Sequence, residues 1–213
     1  MEAFPLIEKA EKTKADFIEV RLDSLETSRN LQEVVKATNI PLIATNKLHS
    51  EHGFFAGTET ERQLTLLNAA KAGFQYVDID ICSPLYQETI GKVKLLGSKT
   101  IASYHKYEGA LDASEMDKVL GQQISSGATV FKIVTMARKI EDNLTALDFV
   151  AAKASQLKLV CFCMGEQGKI SRLMSPLFGA FFTFASLESG SQTALGQMTA
   201  EEMRLAYSLL GAK

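Results

Sequence analysis

The sequence lacks any apolar run near the ~20 residues that a membrane-spanning helix requires. It also lacks a Pro/Gly/Ser-rich linker and a block of like charge. The first absence argues against a helical membrane span, and the others leave no place to divide the chain, so residues 1–213 are read as one domain. A basic excess is missing too. Lys and Arg total 23 against 25 Asp and Glu, a formal net charge of -2, and the basic residues are scattered, which argues against a nucleic-acid surface. The opening Met1-Glu-Ala-Phe-Pro5 has neither the basic start nor the apolar stretch of a secretion signal, so the cytoplasm is the expected location.

Cysteine is scarce. Cys82, Cys161 and Cys163 cannot all pair with one another, and the last two lie in the apolar run LVCFCM, so buried reduced thiols are expected rather than a metal or redox centre. No G-x-G-x-x-G or G-x-x-x-x-G-K stands anywhere, which argues against an open sheet with a glycine-rich phosphate turn. His49 and His52 fall in the loop-like LHSEHGFFAG with no third ligand, and no role is assigned to them.

What is present is alternation. Short apolar runs, mostly rich in β-branched or aromatic residues, predict strands at Phe17–Leu22, Pro41–Asn46, Tyr76–Ile81, Lys99–His105, Thr129–Thr135, Lys158–Met164 and Phe181–Ala185. Between them the period becomes helical, as in Leu31, Val34, Val35, in Leu85, Thr89, Val93, Leu96, and in Met116, Val119, Leu120, Ile124. Ser114 with Asp117 resembles a capping box, Gly127 suits a helix stop, and Thr199 with Glu202 marks the last helix start. Strands separated by helices pair in parallel through right-handed crossovers. A helical Glu2–Lys14 ahead of the first strand suggests that an earlier strand is short or missing. The expected fold is therefore a compact (β/α)8 TIM barrel.

Residues two apart in a strand share a face. Glu19 and Arg21 interrupt Phe17–Leu22 on one face, Tyr76, Asp78 and Asp80 share a face of their strand, and Ile101, Ser103 and His105 share one of the next. Lys132 stands inside Val130-Phe-Lys-Ile-Val134 with apolar neighbours on both sides. A structural ion-pair network is the bland alternative for any single pair, such as Glu19 with Arg21. A buried lysine without a task is expensive, however. In a low-dielectric interior its charged form is disfavoured, and the neutral amine attacks a ketone to give an imine. Protonated, that iminium acidifies the adjacent carbon, and a histidine is the natural base. His105 is placed on a strand end, and Asp80 on the preceding strand is the candidate to fix its tautomer.

These residues also fall into recognisable motifs. Met164-Gly-Glu-Gln-Gly-Lys-Ile-Ser-Arg-Leu173 resembles the M-G-x-x-G-x-x-S-R signature of the type I 3-dehydroquinate dehydratases. Phe17-Ile-Glu-Val-Arg-Leu-Asp23 is similar to their E-x-R-x-D strand, Ser103-Tyr-His105 to their S-Y-H, Phe131-Lys-Ile133 to their Schiff-base segment, and Leu195-Gly-Gln197 to their P-G-Q loop. The resemblance implies dehydration of 3-dehydroquinate to 3-dehydroshikimate, the third step of the shikimate pathway, with neither metal nor organic cofactor, by a homodimer. It implies Lys132 as the imine former, His105 as general acid and base with Asp80 behind it, and Arg172 on the substrate carboxylate. Glu19, Arg21 and Lys47 would contact the substrate, with Thr193 and Gln197 closing over it, and Met164 and Phe184 lining the pocket.

Three positions depart from the family pattern: Asp80 where it has glutamate, Lys47 where it has arginine, and Thr193 where serine is usual. Aspartate shortens the reach to His105 by about 1.5 Å, and lysine loses the bidentate fork. Two rivals stand beside this reading. A class I aldolase would use the same lysine, but Ser186-Leu-Glu-Ser-Gly-Ser191 is acidic where a phosphate site is expected. A catalytically impaired barrel kept as a binding or scaffold module would have no use for a buried Lys132.

Overall fold

The computed structural model describes residues 3–25, 30–190 and 192–212. Glu2, at the expected first helix start, and Ser191, in the acidic stretch, lie outside them. Helices and strands alternate along the chain: α1 Ala3–Lys12, β1 Ile18–Arg21, α2 Leu31–Lys36, β2 Leu42–Thr45, α3 Glu59–Ala72, β3 Tyr76–Asp80 and α4 Tyr86–Leu95. There follow β4 Lys99–Lys106, α5 Ala113–Ser125, β5 Val130–Met136, α6 Asp142–Lys153, β6 Leu159–Met164, α7 Lys169–Met174 and α8 Ala200–Leu209. Two compact units are resolved, Met1–Ala102 with Ser126–Thr129, and Ser103–Ser125 with Val130–Lys213.

In the first unit β1, β2 and β3 pair in parallel, with Arg21 opposite Thr45 and Ala44 opposite Val77. β4 begins where Lys99 donates to the Gln75 carbonyl. Ile18, Val20, Leu42, Ala44 and Val77 are buried, and each large aliphatic side chain so removed from water stabilises the fold by roughly 1.5–3 kcal/mol. α3 starts in a capping box between Thr58 and Glu61 and stops at Gly73, whose φ of 107° is one that a side chain resists. Its inward side carries Arg62 and Gln63 beside Leu66, Ala69 and Ala70. That mixture breaks the apolar stripe, so helical periodicity alone does not single it out.

In the second unit β5 and β6 run parallel over six paired positions, from Phe131 opposite Leu159 to Met136 opposite Met164. α5 packs on β5, and α6 and α7 on β6. α8 opens with the expected Thr199–Glu202 capping box.

Three expectations require correction. Among the described residues there are six strands, not seven, because Phe181–Ala185 makes no ladder: Phe181 donates once to the Leu159 carbonyl and the segment then turns its aromatic rings inward on one another. The α5 start lies two residues earlier than the Ser114–Asp117 pair, since Asp112 and Glu115 exchange the capping hydrogen bonds at 2.8 and 2.9 Å. Cys82 is exposed, whereas Cys161 and Cys163 are buried, and all three are free thiols. Partial desolvation of the otherwise exposed Cys82 thiol pushes it up to about 11, with the Asp80 carboxylate adding to it.

Asn46, just past β2, is buried, yet neither polar atom of its side chain has a hydrogen-bond partner among the described residues. An unmade buried amide bond costs about 1–3 kcal/mol. We therefore expect Asn46→Leu, of similar volume, to raise the unfolding free energy in urea by ~1–2 kcal/mol. A fall in stability instead would mean that the amide has a partner in solution.

Candidate active site

In the second unit, Lys132 occupies the middle of β5, 5% exposed and opposite Val160. Its carbonyl accepts a 2.8 Å hydrogen bond from the Gln123 side chain, which ties α5 to the strand at this residue. Its Nζ lies 4.3 Å from the centre of the Phe184 ring, whose π-face recovers part of the solvation an ammonium loses there. His105 stands half-buried near the end of β4, its ring stacked on that of Tyr107 with centroids 6.0 Å apart.

Arg172 is placed by the turn after β6. Ser171 Oγ accepts from the Cys163 amide at 2.9 Å, and the Ser171 amide donates to Asn143 Oδ1 at 3.0 Å, so the first turn of α7 is held to β6 and α6 at once. Arg172 is thereby drawn inward until only 1% of it is exposed. Its guanidinium carbon lies 4.4 Å from the Phe162 ring centre, and Nη1 reaches the Phe184 carbonyl at a long 3.5 Å. Nε has no hydrogen-bond partner among the described residues, and no carboxylate there forms an ion pair with the group. Burial pushes its pKa down to about 10, which leaves it cationic at neutral pH. A buried cation with spare donors and no counter-ion is suited to a planar anion brought from outside.

Gly165 of the M-G-x-x-G segment and Gly196 of the L-G-Q segment serve one contact, while Gly168 packs its bare Cα against Cys163. Gly165 has φ 88° and ψ 168°, a region closed to side chains, and its amide donates to the Leu195 carbonyl at 3.0 Å. A Cβ on Gly196 would lie 2.0 Å from the Gly165 oxygen. The loop 193–197 therefore docks backbone to backbone on Gly165. Within it Gln197 is buried, and its Oε1 accepts from the Thr193 amide at 2.9 Å and faces the Thr193 hydroxyl at 3.4 Å. Met164 is buried and Phe184 half-buried.

The first unit gathers the other candidates. Glu19 and Arg21 do not pair with each other: Glu19 accepts from Thr45 Oγ1 at 2.8 Å, and Arg21 forms a fork with Asp23 at 2.9 and 2.5 Å. Asp23 also receives the Phe54 amide at 3.0 Å. Lys47, 6% exposed, points its Nζ at Asp80 at 3.0 Å, with Asp78 at 3.6 Å and Glu51 at 4.0 Å. Burial disfavours its charge, but Asp78, Asp80 and Glu51 together outweigh this and hold its pKa well above the usual lysine range. Asp80 accepts from Lys47 and, through Oδ1, from the Cys82 amide at 2.9 Å. Glu51 comes from the loop-like LHSEHGFFAG, and its four-residue spacing from Lys47 is the signal that the sequence offers for it. Among the described residues no three His, Cys, Asp or Glu side chains are grouped to hold a metal ion.

The family model described as Type I 3-dehydroquinase matches residues 2–213. The chain is 35% identical over 200 residues to the 3-dehydroquinate dehydratase of Dehalococcoides mccartyi, covering 93% of this chain and 88% of the relative. It is 30% identical over 205 residues to that of Pyrococcus abyssi, covering 96% and 92%. The 3-dehydroquinate dehydratase structure from Aquifex aeolicus superposes with TM-score 0.79 at 28% identity, covering 97% of this chain and 93% of that one. The one from Geobacillus kaustophilus, at TM-score 0.85 and 22% identity, covers 98% and 85% and speaks to fold alone. The expected α/β fold of TIM-barrel type is borne out by these neighbours.

Two outcomes are expected from this geometry. Desolvation works against the Asp23 carboxylate, but the Arg21 fork and the backbone amides of Phe54 and Lys47 prevail and hold its pKa below the ordinary 3.8. A lowered folded pKa contributes stability that is present above the unfolded value and lost as pH falls through the folded one. The stability gap between the parent and Asp23→Asn, measured by urea unfolding, should be full above about pH 5 and shrink below about pH 4. A gap independent of pH would refute the assignment. Gly196→Ala should push loop 193–197 off Gly165 and leave global unfolding within about 1 kcal/mol, since the loop is peripheral to the core. Unchanged protease sensitivity at 193–197 would count against the docking.

Proposed function

The chain belongs to the type I 3-dehydroquinase family and is a 3-dehydroquinate dehydratase of the shikimate pathway, and we propose that it works through a Schiff base on Lys132. The observation that carries this reading is the pairing of a buried lysine on β5 with a buried Arg172 in the same unit that has no counter-ion among the described residues, bridged by Phe184: its ring faces Lys132 and its carbonyl faces Arg172. Such a pair suits a small molecule bearing both a ketone and a carboxylate.

In this mechanism Lys132 Nζ attacks the ketone, and loss of water gives a protonated imine. His105 takes a proton from the adjacent carbon, with the iminium accepting the electron pair as an enamine. The enamine expels the neighbouring hydroxyl, protonated by His105, as water, and hydrolysis of the imine frees 3-dehydroshikimate and the lysine. Arg172 holds the carboxylate with the fork that lysine lacks. Asp80 orients His105, Glu19, Arg21 and Lys47 contact the substrate, and Thr193 and Gln197 close over it. These roles are supported by the motif resemblance, and for Gln197 also by its burial in the docked loop. The chain acts as one catalytic domain, as a homodimer in the cytoplasm, with 3-dehydroquinate as its ligand and without metal or organic cofactor.

Borohydride added with 3-dehydroquinate should fix the carbon skeleton to Lys132 alone, as read by peptide mass mapping. Lys132→Ala should lose several orders of magnitude in the rise of the enone ultraviolet band. Lys132→Met should be equally inactive and at least as stable, since it replaces a buried amine by an apolar chain of similar length. Turnover without trapping, or trapping elsewhere, would end the mechanism.

A further inference from the structure

Arg62 has no place in the mechanism above, yet it is among the most enclosed cations of the first unit, 3% exposed. It projects from the first turn of α3 and uses both edges of its guanidinium. Nε and Nη2 meet the two oxygens of Glu59 at 2.8 and 2.9 Å, and Nη1 spans both oxygens of Glu51 at 3.0 and 3.1 Å. Glu59 also accepts from the Ser83 hydroxyl, and the Ser83 amide donates to the Asp80 carbonyl in the turn after β3. Glu51 lies in the turn after β2, 4.0 Å from Lys47 Nζ, and Lys47 contacts Asp80. The contacts form a closed circuit, from the end of β2 through Lys47, Glu51, Arg62, Glu59 and Ser83 to the end of β3, and back through Asp80.

We propose that Arg62 is a positioning residue for Lys47, clamping Glu51 so that the turn after β2 holds the Lys47 ammonium in one place at the ends of β2 and β3. This rests on the reading of Lys47 as a substrate contact. Two features make a clamp necessary. Burial disfavours the Glu51 carboxylate; Lys47 and Arg62 favour it, the nearby Asp80 opposes it again, and the net effect is a raised pKa. The six charged groups of the circuit, with Asp78, are four carboxylates and two cations, so without Arg62 the carboxylates would repel one another around a single lysine. The group also suits Arg rather than Lys, because Nε and Nη2 grip Glu59 in a fork while Nη1 remains to meet Glu51.

The test compares Arg62→Lys, Glu51→Gln and the double variant with the parent, by steady-state kinetics and by amine-specific labelling of Lys47 followed by mass spectrometry. Labelling does not depend on turnover. A parent without dehydratase activity would sink the functional reading, while the labelling arm still decides the clamp. We expect Arg62→Lys to raise KM about five- to tenfold with kcat within about twofold, and to speed Lys47 labelling several-fold. Lys132, buried in the second unit, should stay as protected as in the parent. Glu51→Gln should do the same, and the double variant should add nothing, since both changes cut one link. Additive effects, or unchanged KM and Lys47 labelling in folded variants, would overturn the proposal. So would labelling that rises equally at Lys132, since it reports general loosening and a merely structural Arg62.

Discussion

A charge taken out of water must be met by another charge, by hydrogen bonds or by a π-face, and the buried Lys47, Lys132 and Arg172 are met in different ways. Lys47 is surrounded by carboxylates, which fix both its charge and its place. Lys132 is laid against the Phe184 ring. Arg172 is stacked on Phe162 with a long contact to one carbonyl and a nitrogen to spare. The difference sorts the residues by task. Carboxylates around Lys47 set its charge and place, whereas Arg172, held by a ring and one long contact, keeps a nitrogen in hand for a ligand.

That economy depends on backbone geometry more than on side-chain variety. α7 is drawn inward by Ser171, whose hydroxyl and amide serve β6 and α6 together. The same turn needs a glycine at 165 to take a conformation closed to other residues, and a glycine at 196 to let the last loop approach within contact of its carbonyl. The M-G-x-x-G-x-x-S-R run is thus a packing solution as much as a chemical one: the glycines make room, the serine anchors and the arginine is delivered. The loop that it receives carries Gln197 and Thr193 already bonded to each other, so its ordering entropy is partly met before any ligand arrives.

In the first unit the departures from the family pattern become intelligible as a set. Lys47 in place of arginine cannot grip a carboxylate in a fork, and the structure instead surrounds its single ammonium with Asp78, Asp80 and Glu51. Asp80, the shorter acid, serves Lys47 and the Cys82 amide. A compact point charge and a short carboxylate are mutually suited, since neither demands the reach or the planarity of the longer pair.

The sequence by itself determined the alternating order of strands and helices, most element positions to within a residue or two, and the presence of Lys132 at a place where charge is costly. Those follow from local rules, namely side-chain period, capping chemistry and the penalty on burying a cation, which a linear text records. Tertiary structure alone decided the rest. Phe181–Ala185 reads as a strand because its residues favour one, but it lacks a ladder of partners, and partners are not a local property. Arg21 turns from Glu19 to Asp23, and Lys47 gathers three carboxylates about it, because the choice among nearby charges depends on distances set by packing. Little in the local sequence distinguishes Arg62 or Glu51, since one lies in a helix with a broken apolar stripe and the other in an irregular turn. Only the fold brings them within 3.0 Å of each other, and the physical reason is that hydrogen bonding acts over a few ångströms of space, whatever the separation along the chain.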